Sequence, residues 1–253
     1  MKHYRGIVAA AIVVAGVAGA ARAEGGKGAS AVLDKAIKAL GGEEKLKAAR
    51  MHSQKLTGTI TINGEDNKFS ILTTTDGHGK YRSDVDGEFM GNKIEIVTVL
   101  NGDKGWRKFA DMKMELDKEG LANERRNVFL GAVGGSLLAL KHKEFKVEDA
   151  ADEMVDGHAA AVIKVTEPGG KDFKLYFSKD SGLPLKLVAS KVVGFMGDDA
   201  TQEWHYSKYK EIAGIKKAAH IDVKRSGEKL MTMDLADFEV LKDVDAKKFD
   251  EPK

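Results

Sequence analysis

Cysteine is absent from this 253-residue chain, which excludes disulfides and thiolate-held metals and leaves stability to the core alone. With only three Pro and seven His, proline-rich linkers and histidine-rich metal tracts are excluded as well. An excess of charge of one sign is also missing. The chain carries 41 Lys+Arg against 39 Asp+Glu, and its 32% charged residues are mixed in sign, with no basic stripe interleaved with aromatics. That pattern argues against nucleic acid as a partner. No G-x-G-x-x-G, Walker A loop or H-E-x-x-H occurs, and His52, His78, His142, His158, His205 and His220 are scattered. The expectation is a protein with no cofactor, no metal and no ordinary enzymatic machinery.

What is present begins with an export signal. Lys2 and Arg5 precede an apolar run from Gly6 to Ala20, which ends in the small-x-small exit Ala21-Arg22-Ala23. The run is shorter than the roughly 20 residues needed to cross a bilayer as a helix. Residues 1–23 therefore read as a cleaved signal peptide, an uncleaved anchor being the alternative, and residues 24–253 as a single domain. Removing Lys2, Arg5 and Arg22 lowers the Lys+Arg count from 41 to 38, so the mature chain is nearly neutral.

From residue 52 onward the chain is punctuated by two-residue turn signals: Asn63-Gly64, Asp76-Gly77, Asp86-Gly87, Asn101-Gly102, Asp156-Gly157, Ser181-Gly182 and Ser226-Gly227. Such pairs adopt the left-handed backbone of tight hairpins at little cost. Between them, apolar and polar residues alternate, as in Leu56, Gly58, Ile60 and Ile62 against Thr57, Thr59 and Thr61. This is the period of strands with one apolar face. The pattern predicts an antiparallel sheet of about nine to eleven strands, too many to stay flat under accumulated twist.

Two helical segments are expected. Ser30 is placed to cap a helix carrying Val32, Leu33, Ala36, Ile37 and Leu40, ended by Gly41-Gly42, with a short piece over 43–49 after it. The second main segment breaks the hairpin rhythm over 118–140, with Leu121, Val128, Phe129, Val133, Leu137 and Leu138 on one side. Gly131, Gly134 and Gly135 interrupt it, each costing roughly 1 kcal/mol relative to Ala, so it reads as a loosely committed cover that could open.

Candidate catalytic motifs are weak. Ser207-Lys208-Tyr209-Lys210 has the S-x-x-K spacing but lies in a strand-like stretch, where Ser and Lys cannot share a helix face. Ser136 lacks the setting of a nucleophile elbow. Asp84 to Glu88 is acidic without a calcium-loop pattern and reads as a solvated turn.

One stretch runs Asn101-Gly102-Asp103-Lys104-Gly105-Trp106-Arg107-Lys108-Phe109, a later one from Phe173 through Ser181-Gly182-Leu183-Pro184 to Leu187, and the chain closes on Phe249-Asp250-Glu251-Pro252. In these segments and in the order of its elements the chain resembles the outer-membrane lipoprotein-sorting carriers of the Lol type. The resemblance implies an α+β fold, a strongly curved antiparallel half-barrel with helices covering the concave face. It further implies a periplasmic binding protein or carrier for lipid or lipoprotein acyl chains, working with a membrane-associated partner protein. In such a protein the cavity would be lined by Trp106, Phe109, Phe173, Phe177, Leu187 and Trp204 from strands and by Val128, Phe129, Leu137 and Leu138 from the cover. About ten sheltered methylenes at about 0.8 kcal/mol each hold an acyl chain by about 8 kcal/mol before ordering costs. Three readings stay open at this point. Beside the carrier stand a sensor or interaction module with a filled core, and a hydrolase using His158 or Ser207.

Overall fold

A computed structural model describes residues 27–89, 92–194 and 197–253. The signal sequence assigned to residues 1–23 lies outside the described residues.

Helix α1 (Lys27–Ala39) and the short α2 (Glu43–Ala48) lead into the sheet. Ala29, Leu33, Ala36 and Ile37 form the buried stripe of α1, continued by Leu40 just past its end. Ser30 lies inside this helix and not at its cap, because α1 already includes Lys27.

Six strands follow: β1 (His52–Ile62), β2 (Glu65–Thr75), β3 (Tyr81–Phe89), β4 (Asn92–Asn101), β5 (Lys104–Phe109) and β6 (Met112–Glu115). Helix α3 (Lys118–Val133) interrupts them. Then come β7 (Lys146–Val155), β8 (His158–Thr166), β9 (Asp172–Ser178), β10 (Pro184–Val193) and β11 (Asp199–Ser207). A two-stranded ribbon, β12 (Lys210–Ile212) and β13 (Ile215–Lys217), precedes β14 (His220–Arg225) and β15 (Glu228–Val240).

Thirteen strands make one antiparallel sheet in the order β6-β5-β4-β3-β2-β1-β15-β14-β11-β10-β9-β8-β7. The chain starts in the middle at β1, meanders out to β6, crosses with α3 to the opposite edge at β7, and meanders back. β15 then pairs with β1 along a seam from His52↔Val240 to Ile60↔Met231. β6 and β7 are not paired to each other, so the sheet is open.

The sheet is curved, and α3 measures the curvature. Glu124 pairs with Arg107 of β5. Two residues on, Arg126 binds Glu167 of the β8–β9 connection at 2.7 Å and donates to the carbonyls of Ser190 and Lys191 in β10 at 3.1 and 2.8 Å. β5 and β10 stand eight places apart in the strand order. In a flat sheet that separation would be about 38 Å at ~4.8 Å per strand, whereas Glu124 and Arg126 are offset by only ~3 Å of helix rise. Two long side chains cannot close that gap unless the sheet bends.

Three expectations change. The strands outnumber the nine to eleven expected, because short ones such as β6 and β12 lack enough residues to show alternation. Asp86-Gly87 is not a turn but lies within β3, where Gly87 stands opposite Phe69 of β2, and Asp84 bonds Arg82 along the strand. The helix expected over 118–140 stops at Val133. Leu137 adopts a left-handed φ of 63° and its N–H returns to the Val133 carbonyl, closing the helix before a short 3-10 turn at Leu138–Lys141.

Gly134 is required here for space. A Cβ at this position would sit 2.6 Å from the Tyr206 ring.

Candidate functional site: a cavity over the seam

The seam strands border a cavity of about 910 Å³. Because side chains alternate along a strand, His52, Gln54 and Leu56 of β1 enter it together, as do Thr73 and Thr75 of β2. Tyr206 of β11, Ile221 of β14 and Leu235 and Phe238 of β15 continue this wall. Opposite stand Val128, Phe129 and Ala132 of α3 and, beyond its end, Gly134, Gly135 and Ser136. Leu46 closes one side and the ribbon, through Ile215 and Lys217, another. The exposed Arg50, His78, Arg125 and Glu144 mark a rim. The size falls within the roughly 300–1,000 Å³ of small-molecule sites, and the lining combines apolar side chains with polar and charged ones.

α3 is fixed where it meets the sheet. Asp117 caps it by accepting from the Gly120 N–H at 2.8 Å. Besides the Arg107 and Glu167 pairs, Asn127 donates to the Val193 carbonyl at 3.0 Å. These anchors lie in its first ten residues; from Val128 onward the helix is held by packing, with Phe129 against the rings of Phe145 and Phe173.

Titratable groups on the cavity wall are displaced by its environment. Burial pushes the His52 imidazole down to about 4, helped by the Lys217 ammonium. The His52 Nδ1 lies 3.0 Å from the Ala49 carbonyl. A carbonyl only accepts, so the neutral ring carries its proton on Nδ1 and leaves Nε2 as an acceptor. Burial lowers Lys217 to about 8, with no carboxylate opposing the shift. Its Nζ stands 4.8 Å from the centroid of Phe238. The group is enclosed by protein atoms yet retains partial exposure, because the space beside it is the cavity. Tyr206 is raised above its ordinary value by burial, and among the described residues its hydroxyl has no hydrogen-bond partner.

Of the residues expected to line a cavity, the structure brings Val128 and Phe129 onto its wall. Leu137, Phe173, Phe177, Leu187 and Trp204 are instead 0 to 6% exposed in the main core cluster, packed against other side chains, and Leu138 packs against the same cluster. Trp106 and Phe109 lie on β5 near one edge and are half-buried. Arg107 faces α3, so strand alternation puts Phe109 on that face and Trp106 on the other. Neither borders the cavity.

Ser207 ends β11 and Lys210 begins β12, so no helix carries that Ser-Lys pair. Ser136 borders the cavity in the turn after α3. Among the described residues no three His, Asp or Glu side chains gather as a metal-binding group.

Sequence reasoning missed His52, Tyr206 and Lys217 as wall residues. The apolar and polar mixture of Gln54, Leu56, Thr73 and Thr75 gives no signal of a cavity, and the three-residue β13 is too short to show which lysine points inward.

No family model and no curated protein matches this sequence. Solved structures do. A LolA superfamily protein from Nitrosomonas europaea superposes with a TM-score of 0.57 at 14% identity, covering 87% of this chain and 96% of that one. A DUF1329 family protein from Desulfovibrio piger gives 0.55 at 14% identity, with coverage of 88% and 97%. A Vibrio parahaemolyticus domain described as an outer membrane lipoprotein-sorting protein gives 0.52 at 9% identity, with coverage of 86% and 97%. The chain shares its fold with these LolA superfamily and lipoprotein-sorting structures. At these identities the likeness concerns the fold alone.

Proposed function

We propose that this protein is an exported periplasmic binding protein or carrier that holds the acyl chains of a lipid or lipid-modified protein. In this reading residues 24–253 form one domain, α1 and α3 cover the concave face of the half-barrel, and the guest lies between that cover and the seam strands. No covalent chemistry is assigned to it.

The observation that carries the reading is the cavity of about 910 Å³ over the seam. A site of that size could shelter the roughly ten methylenes that make acyl burial worth about 8 kcal/mol. The fold shared with a lipoprotein-sorting domain and a LolA superfamily protein supports the same reading. The test is to purify the protein from its native envelope, extract it with organic solvent and analyse the extract by mass spectrometry. A stoichiometric lipid is expected. An extract without lipid, from protein that also fails to take up a neutral apolar dye, contradicts the reading.

A second reading, a sensor or interaction module, draws on the edge strand β6, whose outer side pairs with no strand among the described residues and where Met112 and Met114 are 64% and 53% exposed. It predicts a partner protein bound at that edge and no lipid in the extract.

A further inference from the structure

The wall of the cavity mixes apolar and polar side chains, and its charges are unbalanced. Arg50, Lys80, Arg125 and Lys217 border it, against the single carboxylate of Glu144, which is exposed at the rim. Lys217 is the one placed inside. Its position is built rather than incidental, because the ribbon that carries it is docked onto the end of α1. The Lys216 N–H donates to the Leu40 carbonyl at 2.8 Å, Ile215 is 2% exposed, and Gly41 is packed so closely that a Cβ there would meet the Gly214 carbonyl at 2.7 Å.

The groups around the ammonium are Phe238 of β15, neutral His52 of β1 and the Gly135 backbone beyond α3, where a Cβ would stand 3.1 Å from Nζ. Among the described residues no carboxylate pairs with it. Lysines usually extend their stems so that the charge reaches water, whereas this one is held against an aromatic ring inside a largely apolar cavity. A desolvated ammonium without an anion is costly, and a guest that brings the anion removes that cost.

We propose that the guest is an anionic amphiphile, whose carboxylate or phosphate pairs with Lys217 while its chain lies along Leu56, Phe129 and Leu235. This rests on the carrier reading and adds to it the chemistry of the head group.

The test is displacement of the neutral dye N-phenyl-1-naphthylamine from the full mature chain by matched pairs. Oleate is compared with oleyl alcohol, and oleoyl lysophosphatidic acid with monooleoylglycerol. In each pair the acid is expected to displace the dye at about tenfold lower concentration, the scale of a charge-assisted hydrogen bond. Whichever pair shows the wider gap identifies carboxylate or phosphate as the preferred head. Lys217→Met is expected to bring each pair together, and Lys217→Arg to keep the gap.

Equal displacement by acid and neutral partner overturns this inference while leaving the carrier reading in place. That is also the result if Lys217 only complements the carbonyl end of α3. A gap that survives in Lys217→Met overturns the assignment to Lys217. Failure of the dye to bind the wild-type chain overturns the cavity reading, and this inference with it.

Discussion

Two regions of one sheet differ in how they use apolar residues. Across β8, β9 and β10 the sheet is packed on both faces. Ile163, Leu175 and Leu187 are each 0% exposed in the main core, while Val162 and Tyr176 sit in a second cluster on the other side. At the seam, β1 has one buried residue, Leu56, and the remainder of that strand is partly or fully exposed. The strongest apolar alternation therefore marks where the sheet is filled by its own side chains. A wall that faces open space has to tolerate water, and it mixes Leu56 and Leu235 with Gln54, Thr73 and Thr75.

The largest effect that separates the two regions is expected in the packed one. Phe177→Ala should cost about 3–5 kcal/mol in denaturant unfolding and leave dye affinity unchanged. Leu235→Ala, on the cavity wall, should cost about 1–2 kcal/mol and weaken the dye. The reverse pattern would erase the distinction between the two regions.

Gly134→Ala should destabilise by about 1–3 kcal/mol through its clash with Tyr206, although Ala is the better helix former. Combining it with Tyr206→Leu should recover most of that loss in a double-mutant cycle, because the clashing ring is gone.

Lys217→Met should stabilise the empty protein by about 1–2 kcal/mol at pH 7, since a buried unpaired charge is removed. The folded value of Lys217 is about 8 against the ordinary 10.5, so the penalty is fully present below pH 8. Between those values the unfolded chain holds more protons, and wild-type stability rises relative to the variant. Unfolding of both proteins at pH 7 and pH 9.5 checks that the gap narrows.

The smallest effect concerns His52. Its folded value of about 4 lies below the ordinary 6.5, so acid is taken up first by the unfolded chain. The stability tied to neutral His52 is lost as pH falls from 6.5 toward 4. With the residue partly exposed, this amounts to about 1 kcal/mol, and His52→Gln should flatten that part of the profile.

Much of the architecture was legible because hairpin chemistry is local. Asn63 and Gly64, Asp156 and Gly157, and Ser226 and Gly227 all have positive φ, as their turns require. Asp86-Gly87 carries the same local signal but is held in β3 by pairing with β2 and β4 on both sides. The end of α3 was misplaced because the sequence shows three glycines where a helix could stop, while the chain closes it with a left-handed Leu137 whose side chain is fully buried. The cavity wall was misassigned for a related reason. Phe173, Phe177 and Leu187 are apolar enough to line a cavity and also apolar enough to fill one, and which they do depends on how far the sheet bends. Only contacts between distant segments, such as Arg107 with Glu124 and Arg126 with Glu167, fix that bend. The inward aim of Lys217 follows from docking of the ribbon on α1, again a tertiary matter.

The central claim is that the seam is hollow and β8–β10 are not. It is tested most directly by nuclear magnetic resonance on the methyl-labelled protein with carbon-13 oleate. Intermolecular contacts are expected from the acyl chain to the methyls of Leu56, Ile221 and Leu235. Contacts to Ile163, Leu175 and Leu187 instead, or no contacts at saturating oleate, would contradict it.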